Sequence, residues 1–212
     1  MIGRCWAEID FSKLKNNLKI YRNSISQHME IMAVVKADAY GHGDTVIAEC
    51  LSNNRINNFA VSNIEEAIRM RKSGVLGQIL ILGYTPLNRV IDIEKYDITQ
   101  TLLSEEYADA VMRCGKNIKC QFTIDTGMRC IGLNADDVIE CERIIQKHKK
   151  IVNGLFTHLC VADTEHQNKF TKMQIDKFEA VCNRVADLDC HCMNSAGVYG
   201  IPLRFLVLQD SG

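Results

Sequence analysis

The sequence predicts an α/β protein built as a (β/α)8 TIM-type barrel that stops before its eighth strand. Three observations carry that prediction. Seven short apolar runs alternate with amphipathic stretches, at a spacing that implies parallel strands joined by right-handed helical crossovers. Lys36, Ser62, Tyr84, Asp125, His158 and Asn194 each stand at or just after the C-terminal end of a different run. In a barrel those ends converge on one mouth, whereas in an open doubly wound sheet they spread along an edge. No GxGxxG or P-loop pattern favours the open, nucleotide-binding alternative.

Residues 11–26 carry Leu14, Leu18, Ile20 and Tyr21 between lysines and asparagines, the pattern of an amphipathic helix. Residues 31–36 are apolar up to Lys36 and read as a strand buried on both faces. Residues 44–51 (DTVIAECL) predict a helix capped by Asp44. Residues 59–62 predict a short strand and 63–72 a helix with acidic residues in its first turn, ended by Gly74. Residues 78–82 (QILIL) predict a buried strand, 87–94 a short helix and 98–103 the next strand. Ser104, with Glu105 and Glu106 behind it, opens a helix that Gly115 stops. Residues 120–124 predict a strand running into DTGM, 136–149 a helix with a basic end, and 151–158 a strand. Residues 172–188 predict a helix and 190–193 the seventh strand, which runs into Asn194-Ser195-Ala196-Gly197.

Composition narrows the function classes. With 47% hydrophobic and 24% charged residues and a net charge of −1, the chain has the profile of an ordinary globular protein and no basic stripe for nucleic acid. Its longest apolar runs are strand-sized, short of the ~20 residues that span a bilayer, and MIGRCWAEID lacks a signal-peptide core. A cytoplasmic protein is expected. The two prolines, Pro86 and Pro202, and the lack of a Ser/Gly-rich tract argue against an internal linker. The ten cysteines are scattered, without a CxxC pair. Cys190-His191-Cys192 alternates along a strand, so its thiols point away from its imidazole, and free thiols outweigh a metal site there.

The stretch with most chemistry is residues 31–43, IMAVVKADAYGHG. A lysine ending a buried strand must reach solvent, pair with an anion or be chemically altered. VVKADAYGHG closely resembles the cofactor-attachment motif of the alanine racemase family. AEIDFSKLKNNL, FAVSNIEEAIRMRKSG, ILILGY, IDTGM, THLCVAD and MNSAG follow in that family's order and cover nearly the whole chain. The resemblance implies a barrel bearing pyridoxal 5'-phosphate and interconverting L- and D-alanine, or serine. It implies that Lys36 forms the Schiff base and is one of two racemisation bases. Tyr40 would bond the cofactor phosphate, with Asn194 and Ser195 near it, and His158 would lie against the pyridine ring. His42 is read as holding its loop.

The chain departs from the family in three places. Where the family has an arginine after DTGM this chain has Cys130, and Arg129 is one residue off. Where it often has a supporting lysine this chain has Thr123. After Asn194-Ser195 the family continues to an arginine-bearing strand and a β domain that supplies a second base, a tyrosine acting across a homodimer interface. This chain reads IPLRFLVLQDSG. The expected organisation is a barrel domain over residues 1–205 and a divergent tail over 206–212, without the C-terminal β domain. Such a chain is expected to be impaired as a racemase. A non-catalytic barrel that binds pyridoxal phosphate and an inert fragment are the competing readings.

Overall fold

The computed structural model describes residues 6–164 and 168–200. The first half holds α1 (Phe11–Ser24), β1 (Met32–Val34), α2 (Lys36–Gly41), α3 (Asp44–Ser52), β2 (Asn58–Val61), α4 (Ile64–Lys72), β3 (Gln78–Ile81), α5 (Val90–Lys95) and β4 (Thr99–Leu102). The second holds α6 (Glu105–Arg113), β5 (Lys119–Asp125), β6 (Leu133–Asn134), α7 (Val138–Lys147), β7 (Val152–Phe156), α8 (Asn168–Cys182), β8 (Asp189–His191) and α9 (Ser195–Gly200). Seven strands run parallel in the order β1-β2-β3-β4-β5-β7-β8, and the two-residue β6 pairs with the end of β5. The order never reverses, as a doubly wound sheet must at its switch point. The wall curls as a half-barrel, the truncated (β/α)8 arrangement that the alternation predicts. Among the described residues β1 and β8 do not pair with each other. Val34 on the β1 edge is 43% exposed as a result.

Burial on both faces explains why the strands read as continuous apolar runs. Phe59, Ile79, Ile81, Leu102, Phe122 and Leu155 pack with Met70, Ile93, Val111, Ile145 and Phe178 of the helices. Strand residues of the opposite parity, Ala60, Leu80 and Phe156 with Met32 and Leu82, form a second, smaller cluster. The helix starts are built by side chains. Asn63 accepts from the Glu66 N–H at 3.0 Å, and Ser104, as its position predicts, accepts from the Tyr107 N–H at 3.2 Å.

Three boundaries differ from the sequence reading. Gly43, at φ +88°, precedes the first residue of α3; Asp44 lies inside that helix, buried, with its carboxylate on Arg69. The helix expected over 172–188 runs Asn168–Cys182, and Asp187 takes φ +61° before β8, a left-handed turn that Asp tolerates better than most residues. The helix expected over 87–94 is a 3-10 turn, Leu87–Arg89, feeding α5.

Arg71 ties this part of the wall together. Its Nη1 donates to the Val75 and Gly77 carbonyls at 2.6 and 3.0 Å, its Nε to the Tyr96 carbonyl at 2.9 Å and its Nη2 to the Asp97 carbonyl at 2.6 Å. Arg71→Ala is expected to destabilise the fold by about 2–4 kcal/mol, because four carbonyls lose a charged donor. Arg71→Lys should recover only part of that, since one ammonium cannot serve the fork. Urea unfolding of the two variants checks this; a loss below ~0.5 kcal/mol for the alanine variant would remove the role.

Candidate active site

The mouth is assembled where the strands end. The β1–β2 ladder closes with Val34 opposite Ala60, and the Val35 N–H donates to the Ala60 carbonyl at 2.9 Å. Lys36 comes next, and the chain then turns left-handed. Ala37, Asp38, Ala39 and Tyr40 take φ of 52, 55, 50 and 56°. Each non-glycine residue in that region costs about 1–2 kcal/mol over the right-handed one, so surrounding bonds must hold the turn. The Ala39 N–H donates to the Val35 carbonyl and the Gly43 N–H to the Asp38 carbonyl, both at 2.9 Å. His42 Nδ1 lies 2.9 Å from the Ala39 carbonyl, the loop-holding role its position suggested. Asp38 Oδ1 accepts from the Asp44 N–H at 3.0 Å, and the Asp44 carboxylate takes the Arg69 fork.

Glu66 is the residue the sequence reading missed. Its carboxylate is buried; Oε1 accepts from the Ala37 N–H at 3.0 Å, and Oε2 accepts from the Ser62 N–H and hydroxyl at 2.8 Å. The available signal was Asn63-x-x-Glu66, a capping-box spacing. Here the glutamate does not turn back to its own helix; it reaches across to the strand ends.

Lys36 is partly exposed, and among the described residues no carboxylate lies within ion-pair distance of it. Tyr40 is thrown out to 60% exposure at the rim. His158, at the end of β7, has its imidazole pushed below its ordinary pKa, first by burial and then by the charge of Lys36. The shift favours the neutral imidazole, although the residue as a whole keeps an exposed face. Gln174, fully buried on α8, sets that strand end: its Nε2 donates to the His158 carbonyl at 3.0 Å and to Thr126 Oγ1 at 3.1 Å.

The remaining strand-end residues have structural occupations. Asp125 Oδ1 accepts from the Gly127 and Arg129 N–H groups, both at 2.9 Å, and so shapes the DTGM turn. Asp136 is held low first by its ion pair with Lys177 and only then by the charge of Arg129. Cys130 is exposed, and Thr123 is buried in β5 below Asp125. Asn194 spends its side chain locally: Oδ1 accepts from the Gly197 N–H at 2.9 Å and Nδ2 donates to the Leu159 carbonyl at 2.8 Å. Ser195 is exposed at the first position of α9. Tyr84 lines the rim beside Tyr107, ring centroids 5.1 Å apart.

His191 on β8 gives the half-barrel a pH signature. Its ring stacks on Phe156 at 5.2 Å and its Nε2 lies 2.8 Å from Gln121 Oε1. Burial pushes its imidazole down to about 4. The folded chain thus holds it neutral while the unfolded chain protonates it near pH 6.5. Stability should fall as pH drops below ~6.5 and the fall should be complete near pH 4, at most about 3 kcal/mol and less for a residue that keeps some solvent contact. His191→Gln is expected to flatten that part of the curve in urea titrations; parallel curves for parent and variant would refute it.

A family model described as alanine racemase, N-terminal domain, matches residues 9–208. Alanine racemase 1 of Clostridium acetobutylicum is 38% identical over 208 residues, covering 93% of this chain and 53% of that protein. An amino-acid racemase of Enterococcus faecalis is 36% identical over 203 residues, covering 93% of this chain and 28% of that protein. A solved alanine racemase of Clostridium difficile 630 superposes with a TM-score of 0.89 at 30% identity, over 98% of this chain and 56% of that one. The chain spans about half the length of most of the curated relatives it matches.

Proposed function

The chain belongs to the alanine racemase family, over that family's N-terminal domain, and from this premise we propose that it forms the pyridoxal-phosphate-binding part of an amino-acid racemase. The carrying observation is Lys36: an amine just past the end of β1, with no carboxylate partner among the described residues, whose charge adds to burial in lowering the pKa of the His158 imidazole. The donor set suits the cofactor. Lys36 offers an amine for an aldehyde, Tyr40 an exposed phenol for a phosphate, and His158 an uncharged ring for an aromatic face. Asn194 fits less directly than its motif implies, because its amide is committed to α9 and Leu159. Its part is to fix the turn that presents Ser195.

Bound pyridoxal phosphate would supply an electron sink for the charge left when a substrate α-proton departs. Lys36 is the group placed to take and return that proton. The amino acid is alanine or serine, the chain is cytoplasmic, and a homodimer is expected of the full-length family member. No helix among the described residues is long and apolar enough to cross a membrane. A second reading, a barrel that binds cofactor without efficient turnover, is favoured by Cys130 and Thr123 standing where the family resemblance places Arg and Lys.

The test is solvent isotope exchange. With pyridoxal phosphate in D2O, the 212-residue protein is expected to exchange the α-proton of one alanine enantiomer faster than it produces the other. Racemisation that keeps pace with exchange would contradict the impaired reading. No exchange with either alanine or serine would favour the non-catalytic binder.

A further inference from the structure

We propose that Glu66 is a positioning residue for Lys36, its carboxylate acting as the clamp that holds the left-handed turn in place. The identity of what Lys36 meets rests on the proposed function; the clamp itself does not.

The geometry is specific. β1 and β2 pair as far as Val34 and Ala60, and the last ladder bond is Val35 N–H to the Ala60 carbonyl. Beyond it the strands part, and the amides of Ala37 and Ser62 find their acceptor in a side chain. Both point at one carboxylate, one to each oxygen. Ser62 adds its hydroxyl to the same oxygen as its amide. Ala37 is the first left-handed residue after Lys36, so its N–H has no helical acceptor. Without Glu66 that donor would lose its protein acceptor and the strained turn the bond at its root.

The surroundings fit a clamp. Asn63 caps the Glu66 amide, which fixes where α4 begins and where the glutamate projects. One turn on, Arg69 grips Asp44, and Asp38 holds the Asp44 amide. Arg69 is also close enough to feel the charges of Asp38 and Glu66. The loop from Lys36 to Asp44 is therefore braced from α4 at both ends. Tyr40 is the last of the four left-handed non-glycine residues of that loop.

The test compares the parent chain with Glu66→Gln and Glu66→Ala in two measurements. The first is amide hydrogen exchange in the cofactor-free protein, with Phe122 and Leu155 as internal controls. The second is the rate at which Lys36 captures pyridoxal phosphate, fixed with borohydride and read by peptide mapping. An amide side chain keeps one acceptor and alanine none. Exchange at Ala37 is therefore expected to rise about 30-fold or more in the alanine variant, less in the glutamine variant, with the controls unmoved. Capture at Lys36 is expected to slow by about 100-fold and about 10-fold respectively, the scale of a misplaced reacting group. Unchanged Ala37 exchange overturns the clamp. Faster exchange with capture at the parent rate overturns the positioning of Lys36. If the alanine variant does not fold, the glutamine variant, of the same size, decides. If the parent captures nothing at Lys36, the cofactor reading fails by itself. The exchange data and the rate of reductive methylation of Lys36 then decide the clamp: a methylation rate equal to the parent's in both variants overturns it.

Discussion

Lys36→Ala is expected to abolish the visible absorbance that develops when the chain meets pyridoxal phosphate, and to weaken cofactor retention at least about 100-fold. Lys36 is the amine that the turn after β1 delivers to the mouth, and among the described residues it has no ion-pair partner. Removing it takes away both the nucleophile and the positive charge. Lys36→Arg separates the two: it keeps a charge at the mouth, but a guanidinium stays protonated and does not condense with an aldehyde. The arginine variant should therefore retain weak, reversible binding and give no fixed adduct. A band of parental intensity in Lys36→Ala would place the chemistry on another residue.

Phe122→Ala is expected to cost about 3–5 kcal/mol, a large part of the stability of an ordinary domain. Phe122 is fully buried on β5, between the sheet and the helices, and meets the buried His148 ring edge-on at 5.8 Å. His148 is itself committed, Nδ1 to the Ile144 carbonyl at 2.8 Å and Nε2 to Asp109 at 3.0 Å, so it cannot move in to fill the gap. Phe122→Leu, which removes less volume, should cost about 1–2 kcal/mol. Chemical denaturation of both variants gives the numbers. A loss below ~1 kcal/mol for the alanine variant would mean that the α7 side of the wall collapses onto the cavity.

The barrel wall was legible because its physics is local. A strand buried on both faces shows no alternation of buried and exposed positions: β2 is buried throughout, and so is β4, where Thr99, Gln100 and Thr101 are buried polar residues. The convergence of strand-end residues was legible for the same reason, since a strand's end is where an apolar run meets its first polar residue. The local course of the site was less so. Ala37, Asp38, Ala39 and Tyr40 favour the right-handed region, and bonds that include those from Glu66 on α4, the Val35 carbonyl and the Asp38–Asp44 contact hold the other hand. No local pattern marks a glutamate that spans 29 residues to an amide. Asp44 illustrates the same limit: its type suits a cap, yet Arg69 draws it into the helix and a glycine at φ +88° takes the preceding position. Asn194 shows the converse. The motif picks out the residue, and the structure reveals that its side chain is occupied by Gly197 and Leu159.

The measurement that bears most directly on the central reading is the site of cofactor attachment. The 212-residue chain is incubated with pyridoxal phosphate, reduced with borohydride, digested and mapped by mass spectrometry. One dominant adduct is expected, on the peptide that contains Lys36, and it is lost in Lys36→Ala. An adduct spread over surface lysines such as Lys72, Lys149 and Lys172, or centred on any one of them, would contradict it.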